Sequence, residues 1–104
     1  MKHSEVYKLT SLAECQSDAV VSNTIVKKES GTVTVFAFDQ QQGLSEHSTP
    51  FDALVQILEG TALIIIDGIT HECHAGDTII MPANVPHAVK AKTAFKMMLI
   101  MIRE

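Results

Sequence analysis

The sequence predicts an all-β domain, a sandwich or a barrel, and three observations predict it. Short apolar stretches recur at spacings of roughly 8–12 residues, divided by turn residues. Asp67-Gly68 sits between two apolar runs, the sharpest local signal in the chain, because a two-residue hairpin turn wants positive φ at both central positions. No long 3.6-residue apolar period competes with this pattern.

The elements follow in order. Residues 1–18 are mixed and polar, with room for one helical turn at Ser11 to Glu14. Val20, Val21, Ile25 and Val26 mark a first strand region that ends at the Gly31 turn. Thr32 to Phe38 opens in polar/apolar alternation, as a half-buried strand does. Asp39 to Ser48 is polar and reads as a loop or irregular edge, and Pro50 restricts Thr49. Ala53 to Leu58 and Thr61 to Ile66 are apolar strands joined at Glu59-Gly60, read here as a second two-residue turn. Ile69 to His74 and Thr78 to Met81 come next, and a rigid loop from Pro82 to Pro86 leads to His87 to Lys90 and Ala94 to Ile102. Ala62 to Ile66 and Met97 to Ile102 are apolar at every position, so both faces need cover, and a homodimer is the simplest source of it.

Composition bounds the function. A chain of 104 residues is one domain, spanning 1–104 with a core barrel over about 19–102. A net charge of −4 with scattered Lys and Arg, and 5% aromatic residues, give nucleic acid nothing to hold. Cys15 and Cys73 are too few to staple a secreted mini-fold and read as reduced thiols. Met1 to Thr10 has no apolar leader, and the longest apolar run, Met97 to Ile102, is too short to span a bilayer. A cytoplasmic domain with no membrane partner is expected.

Two stretches carry a more specific pattern. His47, Thr49 and Ala53, followed by six residues and Gly60, keep the spacing Gly-x5-His-x-His-x3-Glu-x6-Gly. The initial Gly alone is displaced: its position is Gln41, with Gly43 nearby. Gly76, five residues, Pro82-Ala83-Asn84, two residues, His87, three residues and Ala91 keep the spacing Gly-x5-Pro-x-Gly-x2-His-x3-Asn. From about Gly31 to Ile102 the chain resembles a short single-domain cupin of the functionally unassigned kind. The resemblance implies a double-stranded β-helix, or jelly-roll barrel, with one site in its mouth. It does not fix a function, because this fold hosts many chemistries.

In the family, two His and one Glu of the first motif and the His of the second hold a divalent metal. By that resemblance His47 and His87 are the candidate ligands, for Zn, Ni, Mn or Fe, while Thr49 and Ala53 occupy the other two ligand positions. Thr is a poor metal ligand and Ala is none. A third ligand would have to be Gln56 or His71. Strand alternation turns Gln56 away from 53, 55 and 57. Two regular hairpins, pairing 58 with 61 and 64 with 71, would turn His71 toward the pocket. The expected pocket lining is His47, Thr49, Phe51, Ala53, Val55, Met81 and His87. Three functions stay open: a metal-binding barrel with a small organic ligand, a metal-free module that binds or senses a small molecule, and a metal-independent isomerase with His47 or His87 as base.

Overall fold

β-branched and alternating stretches become strands because a pleated, half-buried surface suits them. A computed structural model describes residues 1–103 and contains nine strands: β1 (Val20–Lys28), β2 (Gly31–Phe38), β3 (Gly43–His47), β4 (Asp52–Glu59), β5 (Thr61–Ile66), β6 (Ile69–His74), β7 (Thr78–Met81), β8 (His87–Ala91) and β9 (Phe95–Ile102). One short 3-10 turn, Leu9–Ser11, precedes them, slightly before the predicted helical turn. The strands form two antiparallel sheets, in the orders β1-β2-β9-β4-β7 and β3-β8-β5-β6. The inner faces of the two sheets meet in a jelly-roll core.

Asp67-Gly68 closes the β5–β6 hairpin as predicted, with φ of 50° and 79° at its two residues. It pairs Ile66 with Ile69, Ile64 with His71 and Ala62 with Cys73. Glu59-Gly60 corrects the reading. It does not pair 58 with 61: β4 belongs to the larger sheet and β5 to the smaller, so the chain changes sheets at Gly60. A two-residue link between apolar strands looks the same in sequence whether the strands pair or part. Gly60 is required there, since its φ is +79° and a Cβ would collide with the Ala94 carbonyl and Phe95. Residues 43–47, read as loop or irregular edge, form the edge strand β3 against β8.

Phe38, Ile57, Ile64, Phe95 and Met97 fill the interior, with Phe38 and Phe95 stacked at 4.5 Å between ring centroids. A second cluster lies on the outer face of the larger sheet, where Leu9, Leu12 and Ala13 pack on Val35 and Ala37. Lys96 fastens this cover. Its side chain is buried, and Nζ donates to the Thr10 carbonyl and pairs with Glu14 at 3.2 Å. The polar N-terminal stretch is thus a strap across the sheet, held by a cation.

The two all-apolar strands are covered unevenly. In β5, Ala62 and Ile64 are buried while Leu63, Ile65 and Ile66 are half-buried. In β9, burial falls away from Met98 toward Ile102, which is 62% exposed. Among the described residues no helix is long and apolar enough to cross a membrane.

Candidate functional site

Pairing between β3 and β8 brings His47 beside His87, which in turn lies next to Ile66 of β5. Strict alternation would not do this. Leu44 pairs with Val89 and His47 with His87, so three steps on β3 match two on β8. That extra residue is a bulge, and it brings His47 to the face of the sheet that carries Leu44.

The ring centroids are 4.4 Å apart and the planes cross at 72°. His87 is buried, and His47 is exposed at the barrel mouth. The two Nε2 atoms face each other at 3.2 Å. Each Nδ1 lies against a main-chain carbonyl, His47 on Ser45 at 2.7 Å and His87 on Val85 at 3.2 Å. A carbonyl only accepts, so each Nδ1 carries hydrogen and each Nε2 presents a lone pair.

A proton count follows. Three contacts, carbonyl to ring, ring to ring and ring to carbonyl, require three hydrogens, and two neutral imidazoles carry two. A third proton is disfavoured at His87. Burial first, and then the neighbouring His47, push its pKa below the usual imidazole range, against a smaller upward pull from the Val85 carbonyl. With each Nδ1 hydrogen held by a carbonyl, no hydrogen is left for the contact between the rings, and the two Nε2 atoms can accept one from a bound molecule or act as donors to a metal ion.

A cavity of about 40 Å³ opens at this pair. His47, Thr49, Ala53, Met81 and His87 line it, together with Leu44, Val89, Met97, Leu99 and Met101. The last five carry no sequence signal. Both faces of β9 are apolar, so its pattern does not mark the inward side. At about 40 Å³ the cavity has room for an ion or a few heavy atoms. Larger depressions of about 320–370 Å³ lie on the outside, beside the N-terminal residues, at the β1–β2 turn and beside Phe51.

Several expected site residues lie elsewhere. Phe51 belongs to the link between β3 and β4 and borders an outer depression with Pro50 and Ala83, under the Arg103 guanidinium at 4.7 Å. Val55 is wholly buried one row deeper than Ala53, paired with Leu99 and Ile79. Gln56 lies on the opposite face of β4, between Met98 and Thr78. His71 pairs with Ile64, but β6 is the far edge of the smaller sheet and the ring is exposed, away from β3. Thr49 lines the cavity, yet its hydroxyl is engaged in its own turn, donating to the Phe51 carbonyl at 3.1 Å. Asp52 accepts from the Ala83 amide at 2.9 Å and so ties the Pro82–Pro86 loop to β4.

The cupin domain model matches residues 34–103. The chain belongs to the cupin family. This cupin is similar over its whole length to a conserved protein of unknown function from Streptococcus pyogenes, with 39% identity, 91% of that chain covered and a TM-score of 0.95. It is similar to a cupin superfamily protein from Desulfitobacterium hafniense at 27% identity, covering 100% of this chain and 95% of that one, TM-score 0.93. A cupin 2 conserved barrel domain protein from Leptotrichia buccalis aligns at 34% identity over 93% of this chain and 47% of its own, TM-score 0.90. A comparison with curated proteins finds no match.

Proteins of this fold bind metals or small ligands, so the fit of a metal can be tested on the residues present. Nitrogen donors 3.2 Å apart, each about 2.0–2.1 Å from a common ion, subtend about 100–106° there, near the tetrahedral angle. The carbonyl contacts at Nδ1 are what metal-bound imidazoles usually make. Among the described residues no group of three His, Cys, Asp or Glu gathers anywhere. The pair thus fits one half of a coordination sphere, and the other half must come from other donors.

Proposed function

We propose that this cupin binds a transition-metal ion through Nε2 of His47 and Nε2 of His87 in the mouth of the barrel. The observation that carries the reading is the pair of Nε2 atoms 3.2 Å apart, with both opposite ring nitrogens against carbonyls. The protein pre-orients two ligands and leaves the remaining coordination positions to other groups. When bound, such an ion supplies Lewis acidity and a docking point for a small oxygen- or nitrogen-bearing molecule. His87 anchors the site from the buried side, and His47 holds it at the edge reached by solvent.

Binding of a small molecule without metal is the second reading. It is favoured by the apolar lining from Leu44, Val89 and Leu99, and needs a ligand whose hydrogen bridges the two Nε2 atoms. The cavity, at about 40 Å³, admits a few heavy atoms. An isomerase reading is weaker, because both imidazoles are oriented by backbone carbonyls rather than by a carboxylate.

Elemental analysis of untagged protein, with His47→Ala and His87→Ala beside the wild type, tests the proposal. Near-stoichiometric metal that is lost in both variants is expected. Failure of the wild type to retain any metal, after incubation with first-row ions in both copper oxidation states, would overturn it in favour of the metal-free reading.

A further inference from the structure

Ala53 occupies the position where the family pattern places a carboxylate, and its neighbours are informative. Ala53 pairs with Met101 of β9 on one side and with Met81 of β7 on the other. The three form one row across the inner face of the larger sheet, and all three line the cavity that His47 and His87 share. Directly opposed residues have Cβ atoms about 4.5–5.5 Å apart. Ala53 carries only a methyl group there, while its two neighbours carry long, flexible thioethers. Met81 is buried and Met101 half-buried.

We propose that the cavity is a soft-metal site for monovalent copper, with His47 and His87 as nitrogen donors and the Met81 and Met101 thioethers as sulfur donors. The proposal rests on the reading of the imidazole pair as metal ligands and adds the identity of the ion. Three observations carry it. The separation of the Nε2 atoms subtends a bent angle at a shared ion, so two imidazoles alone do not complete a linear copper site and further donors are needed. Among the described residues the remaining side-chain donors on the cavity wall are the thioethers of Met81, Met101 and Met97, the last two rows deeper beside Ile57, and the Thr49 hydroxyl, which serves its own turn. Thioethers favour soft Cu(I) over the harder dications. Charge points the same way. Among the described residues no carboxylate lines this largely apolar cavity to neutralise a dication, and the desolvation cost of an ion grows as the square of its charge.

The test is an anaerobic titration of the metal-free protein with Cu(I) against a chromophoric Cu(I) chelator, and with Zn(II) and Ni(II) by calorimetry. One Cu(I) ion is expected, bound at least tenfold more weakly in Met81→Leu/Met101→Leu and lost in His47→Gln and His87→Gln. Leu matches Met in volume, so the fold is preserved, and Met101→Leu alone serves if the double variant does not fold. Copper-edge X-ray absorption of the wild type should contain a sulfur shell that disappears in the Met variant. Cys15 and Cys73 are soft thiols too, but neither lines this cavity, and the loss on His and Met substitution distinguishes the sites. Cu(I) affinity unchanged by the Met substitutions, or Zn(II) bound as tightly as Cu(I), would overturn the copper proposal and leave the two-histidine metal site standing. Binding of every ion unaffected by the His substitutions would overturn both.

Discussion

Two residues stand where the family pattern has glycine, and the backbone keeps the glycine conformation at both. Gln41 has φ +70° and Asn84 has φ +63°. Asn is the side chain that tolerates the left-handed region best, whereas Gln carries its full steric cost, about 1–2 kcal/mol. Gly43, the nearby glycine, is not a shifted substitute. A Cβ there would strike the Val89 carbonyl, so it is needed for close strand approach rather than for positive φ. Gln41→Gly is therefore expected to raise stability by about 1 kcal/mol, the relief exceeding the extra chain entropy. Urea melts of the two proteins would measure it, and a lower midpoint for the variant would refute the strain at Gln41. The same scale shows what was legible in the site. His47, Thr49, Ala53, Met81 and His87 meet around one cavity. Phe51 and Val55 lie outside it, because spacing alone does not say which residue of a turn or deeper row faces inward. Leu44, Met97 and Met101 could not be read, since a bulge reset the alternation of β3 and β9 is apolar on both faces from Met97 onward.

At the scale of elements, alternation and turn residues located the strands, and the β5–β6 hairpin has the predicted register. The assignment of strands to sheets was not legible. Glu59-Gly60 carries the composition of a hairpin turn and instead passes the chain from one sheet to the other; His71 keeps its pairing with Ile64, but on β6, the edge of the smaller sheet away from β3. The crossing is tight. Gly60 lies against Ala94 and against Phe95, the first residue of β9, so a single side chain there would push on the central strand of the larger sheet. Gly60→Ala is expected to cost about 2 kcal/mol or more, combining positive φ with a clash against backbone. A thermal melt within a degree of wild type would show that the crossing can relax.

The whole molecule presents one more surface. Val26, Val33, Ile100, Leu54 and Ile80 pair in sequence across all five strands of the larger sheet, giving an unbroken apolar row without a charge. Their neighbours along β4 and β9, Ala53, Val55, Leu99 and Met101, face the interior, so this row faces out. Val26 is 43% exposed and Ile80 57%. A row of this kind is self-complementary about a two-fold axis, and we expect a second copy of the chain to cover it. Light scattering should give a dimer for the wild type and a monomer for Ile100→Glu. A monomeric wild type at high concentration would refute the homodimer.

The sheet orders have a consequence for how the chain is made. Of seven strand pairings, only β1–β2 and β5–β6 join consecutive strands. β9 follows the other eight strands along the chain, yet it lies in the middle of the larger sheet, between β2 and β4. Chains emerge from the ribosome N-terminal end first, so β2 and β4 each wait with one unpaired edge until β9 has emerged. Non-local closure of this kind is slow, on the order of milliseconds to seconds. The nascent protein thus passes through a period in which its central gap is open, and a chaperone that shields bare strand edges would act on it then.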